Sequence, residues 1–265
     1  MFARKYLSLF LMLIFGITFF TACSDDDEVI TPTPVSKSKV LVTHASPDAP
    51  GVDLLVDNVV AGTNLTFPNS TNYLEVNSGT RNVKVNVTGT STTALEANLN
   101  LAADKNYSVF AVNNVAMIEA VVVEDNLTSP ASGKAHVRFI HLSPNAPEVD
   151  ITTNTGAVVF GNYVFKQASA FTPLDAGTYD LQVRLAGTST VVLELPGIAL
   201  TAGKIYTVFA KGLVGGSGTQ SLGAQIMMML KTGFEKIRLL FLIYFAIRCK
   251  SFCLFLFIKQ LIKHD

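Results

Sequence analysis

The stretch His44-Ala45-Ser46-Pro47-Asp48-Ala49-Pro50-Gly51-Val52-Asp53 returns 97 positions later as His141-Leu142-Ser143-Pro144-Asn145-Ala146-Pro147-Glu148-Val149-Asp150. Two more blocks repeat in the same order. Gly79-Thr80 and Gly89-Thr90-Ser91-Thr92 recur as Gly177-Thr178 and Gly187-Thr188-Ser189-Thr190. Lys105, Tyr107, Val109, Phe110 and Ala111 recur as Lys204, Tyr206, Val208, Phe209 and Ala210. The offset drifts only from 97 to 99, so one structural unit has been built twice. The units are residues 39–125 and 134–230, and residues 126–133, with Pro130 and Gly133, join them.

Each unit reads as strands. Val83-Lys84-Val85-Asn86-Val87 and Leu181-Gln182-Val183-Arg184-Leu185 alternate apolar and polar, the period of a strand with one buried face. Tyr107–Val112 and Tyr206–Lys211 are β-prone and bounded by turn formers. Gly79 and Gly177 stand at the turns before strands. Short strands broken by turn signals predict two tandem antiparallel β-sandwich (Ig-like) domains, all-β, with no helix of useful length over residues 39–230.

The repeated Ser-Pro-Asp/Asn-Ala-Pro-x-Val-Asp element, with the later Gly-Thr and Lys-x-Tyr-x-Val-Phe-Ala elements, resembles the domain of unknown function 4397 over residues 39–125 and 134–229. The resemblance implies an extracytoplasmic β-sandwich module, often in tandem on cell-surface proteins. It implies no reaction and no ligand.

His44, Ser46 and Asp53, repeated as His141, Ser143 and Asp150, invite a hydrolase triad. A nucleophilic serine needs a base against it and oxyanion donors beside it. Here Pro47 and Pro144 follow the serines and remove the next backbone N–H, and no strand–turn–helix elbow surrounds them. The expectation is no catalytic residue: the serines cap turns, and the histidines, on the Val40/Val42 and Val137/Phe139 faces, satisfy loop carbonyls. Calcium is the second candidate. Asp53 and Asp57, four apart on one predicted strand, stand ~13 Å apart, too far for one ion. Asp48 with Asp53 is closer, but Asn145 replaces that acid in the second unit, so no metal and no cofactor are expected. Asp53 and Asp150 are expected to cap loop amides. Tyr107, Phe110, Tyr206 and Phe209 offer a sugar-stacking platform, against a plainer reading as core.

Met1–Lys5 are basic, Tyr6–Phe20 form an apolar run of about 15 residues, short for a membrane span, and Thr21-Ala22-Cys23 follow. Residues 1–22 thus read as a lipoprotein signal peptide, with Phe20-Thr21-Ala22-Cys23 resembling a bacterial lipobox and Cys23 as the acylated residue. Ser24, Asp25, Asp26, Asp27 and Glu28 resemble the surface-export tag of Bacteroidetes lipoproteins, and the Thr-Pro-rich stretch to Ser38 is an extended tether. Residues 24–230 contain no cysteine, which excludes an internal disulfide there. Their net charge is −7, so nucleic acid is not an expected partner. Residues 231–265 do not fit: they carry a net +5, and 22 of the 35 are Phe, Ile, Leu or Lys. They read as translation past a lost stop or frameshift, or as a membrane-active basic helix.

The chain is therefore expected to be an outer-membrane lipoprotein exposed at the cell surface. Its lipid is the membrane contact, its ligand in the envelope or outside the cell is a protein or glycan, and its role is binding, adhesion or envelope structure. The alternatives are a carbohydrate-binding accessory lipoprotein and a hydrolase built on the repeated loop.

Overall fold

The computed structural model describes residues 35–229. Cys23, Ser24–Glu28 and residues 231–265 lie outside them. The first unit contains β1 (Lys37–His44), β2 (Val52–Val56), β3 (Val59–Leu65), β4 (Leu74–Asn77), β5 (Gly79–Val87), β6 (Thr93–Leu101), β7 (Asn106–Val112) and β8 (Glu119–Glu124). The second contains β9 (Lys134–His141), β10 (Val149–Thr153), β11 (Val158–Tyr163), β12 (Thr172–Asp175), β13 (Gly177–Leu185), β14 (Val191–Leu200), β15 (Ile205–Lys211) and β16 (Gly223–Met228). The only helices among the described residues are two three-residue 3₁₀ turns, Val115–Met117 and Gly218–Gln220.

Each unit is a sandwich of two four-stranded sheets with the same topology. The first stacks β4-β1-β7-β8 on β3-β2-β5-β6, and the second β12-β9-β15-β16 on β11-β10-β13-β14. All pairings are antiparallel except β1 with β7 and β9 with β15, which are parallel. The first core packs Val40, Val42, Leu54, Val85, Leu101 and Val109 between its sheets. The second packs Val137, Phe139, Ile151, Val183, Leu200 and Val208.

The alternating strands β5 and β13 bury one face and give the other to solvent. Strands β1, β7, β9 and β15 do not alternate; they are buried almost throughout. Their second faces lie against each other, because the two sandwiches pack sheet to sheet. Ala45, Phe110 and Val112 of the first unit form one cluster with Ile140, Leu142 and Phe209 of the second. Leu41 and Tyr73 form another with Ile205 and Met229, and Leu127 of the joint belongs to it. Phe110 meets its own repeat counterpart, Phe209, edge to face at 5.9 Å between ring centroids. A residue touching its counterpart is what a two-fold arrangement of the units requires. Strands covered on both faces become continuous apolar runs for the same reason that parallel sheets do.

Candidate functional site

The repeated loop after β1 and β9 is the strongest functional candidate, and most of its polar side chains bond neighbouring loop backbone. Nε2 of His44 hydrogen-bonds the Pro50 carbonyl at 2.9 Å, and Nε2 of His141 bonds that of Pro147 at 3.1 Å. Each ring thus clips its own Ser-Pro-x-Ala-Pro loop. Asp48 accepts the Val115 N–H at 2.8 Å. Asn145 does the same for Val214 at 2.9 Å and also donates to the Val214 carbonyl at 3.1 Å. These bonds hold the turn before the last strand of each unit. Ser143 donates to the Gly212 carbonyl at 2.7 Å, whereas the Ser46 hydroxyl is buried without a partner.

Asp53 and Asp150 hold a second pair of loops. Asp53 accepts N–H groups from Asn64 at 2.8 Å and Gly89 at 3.2 Å, and the Thr88 hydroxyl at 3.2 Å. Asp150 accepts the matching N–H groups, Asn162 at 2.7 Å and Gly187 at 2.9 Å. All four amide donors sit at positive φ, which these bonds help to fix. The Asn64 and Gly89 amides hold the Asp53 carboxyl below the usual carboxylate range. Asp57 does not share a strand with Asp53. It starts the turn after β2 at φ 50° and ion-pairs with Arg81 at 3.0 Å. Among the described residues no three His, Cys, Asp or Glu side chains gather as a metal site.

The other repeated blocks have equally local jobs. Thr90 and Thr188 donate to the Val87 and Leu185 carbonyls at 2.9 Å each, closing the β5–β6 and β13–β14 hairpins. The Tyr107 and Tyr206 hydroxyls accept N–H groups of Ala102 and Thr201 at 3.1 and 3.2 Å. Tyr107, Phe110, Tyr206 and Phe209 are buried, so none can serve as a surface platform for a sugar.

Burial pushes both histidines below their ordinary pKa, against a smaller opposing effect of the proline carbonyls. The unfolded chain therefore binds more protons than the folded one just below the ordinary histidine value, about 6.5. The neutral rings' full contribution is present above that pH and is lost as the pH falls towards the depressed folded values. Urea midpoints should drop between pH 7.5 and 5.5, and the slope should flatten in a His44→Gln/His141→Gln protein. An unchanged slope in that variant would assign the drop to other groups.

Two features escaped the sequence reading, and both lie where the copies differ. The first is a buried polar cluster between the sandwiches. Arg138 ion-pairs with Asp125 at 2.6 Å, both side chains essentially inaccessible. Asp125 also accepts the hydroxyls of Tyr73 at 2.5 Å and Ser108 at 2.8 Å. Arg138 donates to Ser108 at 3.0 Å and Thr207 at 2.9 Å, and lies 4.7 Å from the Phe171 ring centroid. Burial, then the Asp125 charge, push the Tyr73 hydroxyl up, so it stays a proton donor. The second feature is an apolar pocket of about 340 Å³ at the end of the second sandwich.

The family described as "Domain of unknown function (DUF4397)" matches residues 38–152 and 149–227. The chain belongs to this family. No curated protein matches it. Among solved structures, the crystal structure of CBMbc (family CBM26) from Eubacterium rectale Amy13K in complex with maltoheptaose is similar at 8 % identity. That likeness covers 74 % of this chain and 98 % of the other with a TM-score of 0.26, too loose a superposition to carry an argument. The repeated loop residues of this DUF4397 chain are thus understood from their own bonds. Among the described residues no helix is long and apolar enough to cross a membrane.

Proposed function

We infer that this DUF4397 protein is a lipid-anchored extracytoplasmic lipoprotein whose fused sandwiches serve in binding, adhesion or envelope structure rather than in catalysis. One observation carries the non-catalytic part. In both copies the His and Asp side chains that a triad would need bond loop backbone, and Ser143 does so too. Such bonds stiffen a loop for presentation, whereas a triad needs the serine held against the base. Anchoring rests on Cys23, the acidic residues after it and the Thr-Pro tether.

Cys23→Ala is the test. Cells expressing the variant should release the protein from the membrane fraction, and the wild type on intact cells should be open to added protease. A Cys23→Ala protein that stays in the membrane would overturn the anchor. Hydrolytic turnover that vanishes in folded His44→Gln/His141→Gln protein would overturn the non-catalytic role.

A further inference from the structure

Each of the four sheets ends in two edge strands, whose outer backbone groups are open to pairing with another strand. Among the described residues, seven of these eight edges carry something that blocks it. Strands β4 and β12 are four residues long and contain Glu75, Pro173 and Asp175. Strands β3 and β11 shift register against their neighbours and hold Asn64 and Asn162 at positive φ. Strand β6 pairs with a register shift and carries Glu96, while β14 carries Glu194, Pro196 and Gly197, the last at φ 68°. Strand β8 begins with Glu119 and ends with Glu124, so two such strands side by side would gather two carboxylates at each end. Charges, prolines, bulges and short length all keep sheet edges from pairing.

The eighth edge, β16, has none of them. Its sequence Gly-Ala-Gln-Ile-Met-Met holds no charge and no proline, and its register against β15 is unbroken from Gly223 to Met228. The Met229 N–H bonds the Ile205 carbonyl at 2.8 Å, and bonding in an antiparallel pair alternates along the strand. Gly223, Gln225 and Met227 therefore turn their backbone groups to β15. Ala224, Ile226 and Met228 turn theirs to the open side, where no backbone group of the described residues meets them. Ile226 and Met228 are 38 % and 44 % exposed there.

An open ladder is completed by a strand, and the sequence of this one suits its own copy. In an antiparallel pair about a two-fold axis perpendicular to the sheet, residues on the same face oppose each other. Centred on Ile226, the pair sets Ile226 against Ile226, Ala224 against Met228 and Gln225 against Met227. The three outward-turned residues of each strand then exchange about six backbone hydrogen bonds. No charge meets a like charge, and the exposed Ile226 and Met228 side chains become one apolar strip across the join.

We propose that β16 is a self-association edge, pairing antiparallel with β16 of a second copy of this chain about a two-fold axis at Ile226. The sheet β12-β9-β15-β16 then continues into the same four strands of the second copy in reverse order. This goes beyond the anchored, non-catalytic role inferred above, because the edge is open with or without the lipid. A join six residues long is small beside a standard protein interface, so the dimer is a reversible one.

Sedimentation equilibrium of the processed full-length chain in non-ionic detergent tests this. A monomer–dimer equilibrium is expected at concentrations up to the millimolar range. Ile226→Pro removes only an N–H that the fold does not use, and should weaken dimerisation at least tenfold. Val122→Pro, at the equivalent position of β8, should leave it unchanged. Ile226→Glu sets carboxylate against carboxylate and should weaken it likewise, while mixing that protein with Ile226→Lys should restore association as a heterodimer. A wild type that stays monomeric overturns the proposal. A dimer unchanged in folded Ile226→Pro and Ile226→Glu places the contact elsewhere in the chain and also overturns it. Equal weakening by Val122→Pro overturns the choice of β16, and a Glu/Lys mixture no better than either protein alone overturns the two-fold at Ile226.

Discussion

Arg138→Leu should destabilise the protein by about 3–5 kcal/mol, because it leaves the Asp125 carboxylate charged and buried without its partner. Asp125→Met should cost a similar amount by stranding the guanidinium. Both replacements come from the chain itself, since Leu41 stands in β1 where Arg138 stands in β9. Met229 makes the backbone bond to Ile205 that Asp125 makes to Asn106, at 2.8 and 2.7 Å. The double variant therefore installs the apolar pair already present on the other side of the two-fold. It should recover most of the loss, since well-packed apolar residues commonly replace a buried ion pair at no net cost. A residue of about 1–3 kcal/mol should remain from the Tyr73 hydroxyl, which loses its acceptor. Adding Tyr73→Phe, again the counterpart's residue at Phe171, should remove much of it. Urea midpoints of the single, double and triple variants check the series. A double variant no better than the singles would show that the cluster contributes through its packing shape and not through charge pairing.

The same asymmetry has a consequence for assembly. Two first units brought together through this face would set Asp125 against Leu41, and two second units would set Arg138 against Met229. Each pairing buries a lone charge, so only unlike units fit, which is specificity by repulsion of the wrong partner. The triple variant lacks that penalty.

How far the sequence could be read follows from which signals are local. The alternation in Val83–Val87 and Leu181–Leu185 reports one wet face, and both lie in strands that have one. Tyr107–Val112 and Tyr206–Lys211 lack alternation, which marks burial on both faces. A chain read in one dimension does not say what covers the second face, and the cover is the other copy. The recurrence of His44, Asp53 and their counterparts drew attention to a loop whose bonds are structural in both copies. Features held by one copy alone leave no mark in the internal repeat. Arg138 against Leu41, Asp125 against Met229 and the longer 212–222 loop are all mismatches, and they locate the polar seam and the pocket. Asp57 lies one residue beyond β2 because the chain turns there, with Asp57 and Asn58 at positive φ, and the local apolar pattern does not mark that turn.

Phe209→Ala, like Phe110→Ala, should cost about 3–5 kcal/mol, as both rings are wholly inaccessible and central to the seam. Since the rings meet edge to face, a double-mutant cycle should show about 0.5–1.5 kcal/mol of coupling between them. More follows from where these rings lie. Neither belongs to the core of its own sandwich; Val40, Val42, Tyr107 and Val109 fill the first, and Val137, Phe139, Tyr206 and Val208 the second. Phe110 and Phe209 therefore stabilise only the union of the units, and losing them should uncouple the units rather than melt one. The wild type should unfold in a single transition, because separating the sandwiches exposes Leu41, Phe110, Ile140, Leu142, Ile205 and Phe209 at once. In Phe110→Ala/Phe209→Ala, calorimetry should resolve two transitions, with a heat smaller than the wild type's at the seam but with both sandwich cores melting intact. A single, merely lowered transition in the double variant would mean that the ion pair of Arg138 and Asp125, with the short joint, suffices to keep the units cooperative, and would make the polar cluster the stronger half of the seam.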